Sequence, residues 1–452
     1  MNAAHLDPVQ PFSRRGVCPA LSAPMQTGDG LLSRVAFTDD ISPQDLANLC
    51  DLSARHGNGL IDVTARGGLQ FRGLTSPSAC LLENDVLALA LPVREGLAVE
   101  TSPLAGRDVT ETSSPLALAR CIHEKSLELR LHERVAAKMS VVVDGSGQIR
   151  MSDLLADIRL KAVQHDGQIF WQVMLGGTED KAFYAGVLHP EHAADAVMAL
   201  LCHLAEQGQT ARGRDLDGDA VNAICGDVLL EQLAPDLSEA SKSPYGLIAL
   251  GDDGFAAGIA PAFGQIATAS LSSLCRNALS VGIHAMRPGP AHGLFFFGTR
   301  TQCELLIAYA KSSGLIVAGN DPRSYLATCS GAPACASALL PTHELADFAA
   351  KQCASLLDGS LILHVSGCGK GCAHPSPSLL AISGSPEGLA FSLSGRVSDA
   401  PDLVLPSDEQ KAVLSRLARL HEKEHKPGEN ARTLFVRLGK DRVSAALRQD
   451  DR

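Results

Sequence analysis

The sequence predicts a mixed α+β protein with a duplicated architecture, in which two small half-modules accompany two larger α/β domains. Three observations lead there. A residue pattern recurs about 225 residues apart, 452 residues is enough chain for several packed units, and short apolar runs alternate with Gly- and Pro-marked turns.

The first copy of the pattern runs Leu49-Cys50, Gly57, Arg66 and LQFRG, ending at Gly73; the second runs Leu274-Cys275, Gly282, Arg287 and LFFFG, ending at Gly298. Each copy predicts strand, helix, strand. In the first, Ser42 caps the helix, Pro43 occupies its first turn and Gly57 closes it. Two such halves are expected to pair about a pseudo-twofold axis and frame a shared cleft.

In chain order the expected units are residues 16–79 (half-module 1), 80–235 (first α/β domain), 236–305 (half-module 2) and 306–452 (second α/β domain). Within the first α/β domain, VVVDGSGQI predicts two strands around a glycine turn, and residues 191–207 predict a helix. Within the second, residues 315–319 predict a buried strand, and cysteine-bearing loops follow as far as Cys372. FAAKQCASLL predicts an amphipathic helix that carries Cys353 into the core, and a charged, solvated surface helix is expected from about Ser407.

Composition narrows the function. A net charge of -11 argues against a nucleic-acid partner, because phosphate contacts need a basic surface. No apolar run of about 18 residues is present to span a membrane, and the N-terminal residues lack a signal-peptide pattern, so a cytoplasmic protein is expected. The thirteen cysteines are mostly scattered singly, which suits reduced thiols and not a disulfide framework. Neither a strand-linked G-x-G-x-x-G nor a P-loop occurs, so no built-in dinucleotide domain is expected.

Four cysteines form a pattern: Cys329-x5-Cys335, a gap of 32 residues, then Cys368-x3-Cys372 within SGCGKGCAHP. Thiolate is the ligand of iron-sulfur clusters, and a 4Fe-4S cubane takes four. Gly367, Gly369 and Gly371 interleave with the last pair, letting backbone N–H groups approach a bulky cluster. Structural zinc is the rival reading, although its cysteine pairs are usually two to four residues apart.

Together, the cysteine pattern, the SGCGKGCAHP loop and the duplicated module resemble the sirohaem-dependent sulfite and nitrite reductase family, over roughly residues 16–400. That resemblance implies a duplicated nitrite/sulfite reductase-like fold with ferredoxin-like half-modules. One subgroup is closer. RRGVCPAL from residue 14, DVTARGGLQFRGL from 62, SPLAGRD from 102, VDGSGQIRMSDLLADIRLKAV from 143 and SGCGKGCAHP from 366 resemble, in order, the oxygen-dependent enzymes of aerobic cobalamin biosynthesis that act on precorrin-3A.

The family's T-x-R-x-x-x-Q motif, which contacts the tetrapyrrole, is matched by Thr64, Arg66 and Gln70. A macrocycle bearing many carboxylates needs cationic and amide donors, so Arg66, Gln70, Arg72, Lys138, Arg287 and Lys370 are the expected substrate contacts. Two departures weigh against oxyanion reduction. The reductases' K-x-K segment reads Lys138-Met139-Ser140 here, and Lys370 stands where they commonly place asparagine.

The resemblance therefore implies a monooxygenase with a 4Fe-4S cluster and a mononuclear non-haem iron, taking precorrin-3A, dioxygen and electrons from a separate reductase or ferredoxin. His284, His292, His364 and His374 lie near the motifs, but no iron ligand is assigned among them. The alternatives are a sirohaem-dependent sulfite or nitrite reductase, and an iron-sulfur electron carrier without chemistry of its own.

Overall fold

Short strands feeding capped helices recur in the order β-β-α-β-β-α. The computed structural model describes residues 19–230, 242–374 and 376–448. By internal packing the chain divides into two compact units, one containing residues 93–242 and the other residues 26–92 with 243–452.

The second of these units begins with β1 (Met25–Thr27), β2 (Gly30–Val35), α1 (Pro43–His56), β3 (Leu60–Val63), β4 (Leu69–Leu74) and α2 (Ser76–Ala88). As expected, α1 starts at Ser42. Its hydroxyl accepts from the Asp45 N–H at 3.0 Å while the Asp45 carboxylate accepts from the Ser42 N–H at 2.9 Å, a reciprocal capping box ahead of Pro43. Gly57 ends the helix, donating its N–H to the Ser53 carbonyl at 3.0 Å.

The unit of residues 93–242 contains β5 (Ala98–Glu100), α3 (Leu116–Glu128), β6 (Ser140–Asp144), β7 (Ala156–His165), β8 (Gln168–Gly177), β9 (Phe183–Leu188), α4 (Pro190–Gln207) and α5 (Gly218–Cys225). The strands lie in numerical order in one sheet. Ile122, Val141, Leu160, Trp171 and Leu201 meet in its core, each contributing about 1.5–3 kcal/mol through burial.

The hairpin expected in VVVDGSGQI is absent: β6 ends at Asp144, and its sheet partners are β5 and β7, both in parallel. The buried Asp144 carboxylate accepts from the N–H groups of Ser146 (2.8 Å) and Met151 (2.9 Å), so residues 145–155 wrap around it as a loop. A side-chain acceptor has replaced the cross-strand ladder.

Returning to the second unit, the second half-module consists of β10 (Gly246–Gly251), β11 (Gly254–Ile259), β12 (Gln265–Ala267), α6 (Thr268–Ser280), β13 (Ala285–Pro288), β14 (Leu294–Gly298) and α7 (Arg300–Ser312). The strand orders β1-β2-β4-β3 and β10-β11-β14-β13 match position for position. Across the pseudo-twofold, Ile266 of β12 pairs with Ile61 while Ile41 bridges Met286, counterparts separated by the same repeat spacing. The repeated Leu-Cys dipeptides lie on α1 and α6, which pack together. Burial pushes the Cys50 thiol up to about 12, so it is an inert core group.

The rest of the unit holds β15 (Leu326–Thr328), α8 (Thr342–Gln352), β16 (Leu363–Ser366), β17 (Ser378–Ser385), β18 (Gly388–Gly395), β19 (Leu403–Leu405), α9 (Gln410–Glu424) and α10 (Ala431–Arg448). β15, β16 and β17 run parallel, and β17, β18 and β19 antiparallel. Cys353 is fully buried, as expected. Residues 315–319 contribute no strand, only an isolated bridge from Ile316 to Ala260, because their backbone pairing does not extend beyond that one residue pair into a ladder. The charged tail is less solvated than its composition suggests: α9 buries Val413, Leu414, Leu417 and Leu420 against the core. Among the described residues no helix is long and apolar enough to cross a membrane.

Candidate active site

β15 and β16 are adjacent and parallel, with Thr328 opposite Val365, so the chain leaves both strands at the same end. Cys329 follows β15 directly and Cys368 comes two residues after β16. Loops at the carboxyl ends of parallel strands are where such sheets place their sites.

The two loops are tied together. Gly367 N–H donates to the Cys329 sulfur at 3.2 Å, Leu339 N–H to the Gly367 carbonyl at 2.7 Å, and Lys370 Nζ to the Ser337 hydroxyl at 2.8 Å. Thr342, fully buried at the start of α8, donates its hydroxyl to the Cys329 carbonyl at 2.6 Å. Desolvation, then the charges of Cys329, Cys368 and Cys335, push the Cys372 thiol above its ordinary value. All four thiols thus share one electrostatic neighbourhood.

Glycines give the sulfurs room. A Cβ on Gly367 would lie 2.6 Å from the Ala338 Cβ, and one on Gly28, in the turn between β1 and β2, would lie 2.5 Å from the Cys335 sulfur. That turn also accepts the Ala336 N–H at the Gly28 carbonyl, 3.2 Å away.

His364, on β16 and 1% exposed, stands beside this loop: a Cβ on Gly371 would lie 3.7 Å from its Cε1. Its ring centroid is 5.7 Å from that of His374. The His364 Nε2 is buried with no hydrogen-bond partner, and burial, then the neighbouring His374, lower its pKa to about 4. His292 is committed elsewhere, its Nδ1 lying 2.6 Å from the Val63 carbonyl, and His284 is exposed. Among the described residues, no set of three or more His, Cys, Asp and Glu side chains is placed to hold a single metal ion.

The T-x-R-x-x-x-Q motif occupies the turn from β3 to β4. The Thr64 hydroxyl accepts from the Gly68 N–H at 2.9 Å, and Gly67 adopts φ +81°, which only glycine takes without strain. Half-buried Arg66 bridges Pro290 through its backbone, so the turn meets the corresponding turn of the second half. Gln70 sits opposite Arg34 of β2, and with its amide oxygen turned that way it accepts from the Arg34 Nε at 3.1 Å. Arg34 escaped the sequence reading. Its signal was positional, as the β2 residue in register with Gln70.

The other expected contacts fare differently. Arg72 is buried and gives Nε and Nη2 to Asp29 at 2.8 Å each and Nη1 to Asp62 at 2.9 Å. Burial alone would raise Asp29, but Arg72 outweighs it and holds that carboxyl below its ordinary value. Arg287, on β13, pairs with Asp39 at 2.9 Å and Asp40 at 2.7 Å. Lys138 is exposed in the unit of residues 93–242. Met139 beside it is buried in the core, and the Ser140 N–H donates to Asp157 at 3.0 Å.

Comparison with known proteins places this geometry. Residues 23–87 match the family model of the nitrite/sulfite reductase ferredoxin-like half domain. The chain is 38% identical over 439 residues to a precorrin-3B synthase of Sinorhizobium sp, spanning 96% of this chain and 95% of that relative. Its fold matches the structure of the NirA protein of Mycobacterium tuberculosis with a TM-score of 0.70 at 17% identity, over 91% of this chain and 84% of that one. The duplicated nitrite/sulfite reductase-like architecture expected from the sequence is the fold found.

Proposed function

The chain belongs to the precorrin-3B synthase family, and on that premise we propose that this enzyme of cobalamin biosynthesis converts precorrin-3A to precorrin-3B with dioxygen and external reducing equivalents. One oxygen atom enters the product at the meso carbon between rings A and D, and the other leaves as water. The ring A acetate then closes a γ-lactone.

The observation that carries this reading is the gathering of Cys329, Cys335, Cys368 and Cys372 by loops from one end of adjacent parallel strands, in a chain of this family. The donor set fits a 4Fe-4S cluster, with four thiols, a backbone N–H already directed at one sulfur and glycine at each close approach. Such a cluster supplies one-electron transfer, from a separate reductase or ferredoxin.

For a mononuclear non-haem iron, the residues that fit are His364 and His374. A neutral imidazole with an orphaned, buried nitrogen beside a second imidazole is the donor type such iron takes. His364 and His374 would hold the iron, whose chemistry there would be dioxygen activation.

In this reading Arg66, Gln70 and Arg34 face the substrate's carboxylate side chains from the first half-module, with Lys370 beside the cysteine loops. Arg72 and Arg287 act by positioning, since their guanidinium groups already answer paired carboxylates. Lys138 keeps its assignment on motif position alone. A sulfite or nitrite reductase would need a second lysine two residues after Lys138, where buried Ser140 stands instead, and asparagine where Lys370 reaches Ser337.

The test is anaerobic purification with a visible spectrum and assays of iron, sulfide and extractable tetrapyrrole, then incubation with precorrin-3A, dioxygen and a reductant. A cluster spectrum without sirohaem, and a product heavier by one oxygen atom, are expected. Sirohaem bands with sulfite or nitrite turnover would overturn the reading, as would a cluster that passes electrons while precorrin-3A stays unchanged.

A further inference from the structure

Far along the chain from the cysteine loops, the last turn of α9 and the residue that caps it read His421-Glu422-Lys423-Glu424-His425. Residues four apart on a helix lie on one face, one above the other. The two imidazoles do so here, with ring centroids 5.3 Å apart.

The buried member has nothing to bond. His421 is 6% exposed, it stacks on Phe435 of α10, and neither ring nitrogen has a hydrogen-bond partner. A buried polar group left without a partner loses its water and gains nothing in return, so its place in a packed helix pair calls for an occupant.

The exposed member is already oriented. His425 has its Nε2 2.6 Å from the Glu429 carbonyl. That contact fixes Nε2 as the protonated nitrogen and leaves Nδ1 as a donor, the outer support that metal-bound histidines usually have.

We propose that His421 and His425 bind one divalent transition-metal ion of the Zn2+ class, joining the end of α9 to the turn that leads into α10. With metal–nitrogen bonds of about 2.0–2.1 Å and a tetrahedral angle, two imidazole centroids stand about 5.2 Å apart, close to the observed 5.3 Å. The surrounding carboxylates favour a cation but are occupied: Glu429 pairs with Arg437 at 2.7 Å, and Asp358 accepts from Ser360 and from the Ala431 N–H. Water therefore completes the shell. Although the residues spell the H-E-x-x-H pattern of zinc hydrolases, Glu422 is exposed and the described residues offer no third ligand, so the assignment is to binding and not to hydrolysis.

The experiment uses full-length protein with its cysteine site loaded, dialysed against EDTA and titrated with Zn2+ by calorimetry, with X-ray absorption at the zinc edge. One zinc per chain is expected, with a nitrogen and oxygen first shell and imidazole outer scattering. The His425→Ala variant, altered only at an exposed side chain, should bind about tenfold more weakly or worse while keeping its iron, its sulfide and its metal-free melting temperature. Sulfur in the zinc shell, equal affinity in the variant, or no binding by the parent protein would overturn the proposal.

Discussion

The backbone N–H of Gly367 donates to the sulfur of Cys329 at 3.2 Å, across 38 residues of sequence. The strand that delivers Cys368 thereby reaches back to the residue that opens the first cysteine loop.

If these loops hold a cluster, Cys329→Ser should lose it, with sulfide falling from about four per chain toward zero and iron falling by about four. Cys353→Ser is the control. That thiol is fully buried and donates to the Leu414 carbonyl at 3.3 Å, so its loss should leave iron and sulfide unchanged. Equal metal content in both variants would sink the cysteine assignment.

Gly28→Ala should damage the same site from a distant part of the sequence, because the added Cβ would lie 2.5 Å from the Cys335 sulfur. The expected result is lower cluster occupancy with the secondary structure retained, read from iron content and far-ultraviolet circular dichroism. Full occupancy would show that the β1–β2 turn yields freely.

Arg66 and Arg72 are six residues apart, one in the motif and the other just beyond it on β4, and should behave oppositely. Arg72→Ala removes the shared partner of two half-buried carboxylates, Asp29 and Asp62, and should cost about 2–3 kcal/mol in urea unfolding, less than a fully buried pair because both carboxylates keep some exposure. Arg66→Ala should leave the cluster and the unfolding curve nearly unchanged. It should weaken tetrapyrrole binding by about 1.5–3 kcal/mol, the range for hydrogen bonds to charged groups. Unaltered substrate affinity would remove Arg66 from the site.

Glu111 sets a pH dependence in the unit of residues 93–242. Burial, with the nearby carboxylates of Asp108 and Asp144, pushes it up to about 7, and its Oε1 has no hydrogen-bond partner. An unfolded glutamate gives up its proton near its ordinary value of 4.5, whereas Glu111 holds its proton until about 7. Between those values the folded chain binds the extra proton, so stability falls as pH rises and levels off above about 7. Glu111→Gln should flatten that slope and stabilise the protein above pH 7 by about 1–2 kcal/mol, allowing for the group's partial exposure. Parallel pH profiles of melting temperature for the two proteins would contradict this.

The sequence by itself determined whatever depends on neighbours along the chain. Ser42, Pro43 and Asp45 cap α1 because a capping box needs only residues three apart, and the repeated Leu-Cys and Gly positions exposed the duplication because both halves solve one packing problem. The cysteine spacing singled out two loops for the same reason, and those loops leave the adjacent strands β15 and β16 at the same end.

Tertiary structure alone decided how charges are spent. Arg72 and Arg287 were expected from the sequence as substrate contacts, and the fold brings Asp29, Asp62, Asp39 and Asp40 to them from distant positions. Arg34 carried no motif and gained its place only from strand register with Gln70. Asp144 turned an apparent hairpin into a loop between parallel strands, and His364 was singled out from four histidines by losing its partner on burial. A charged group's partner is set by through-space geometry and desolvation, and neither is written in the order of residues around it.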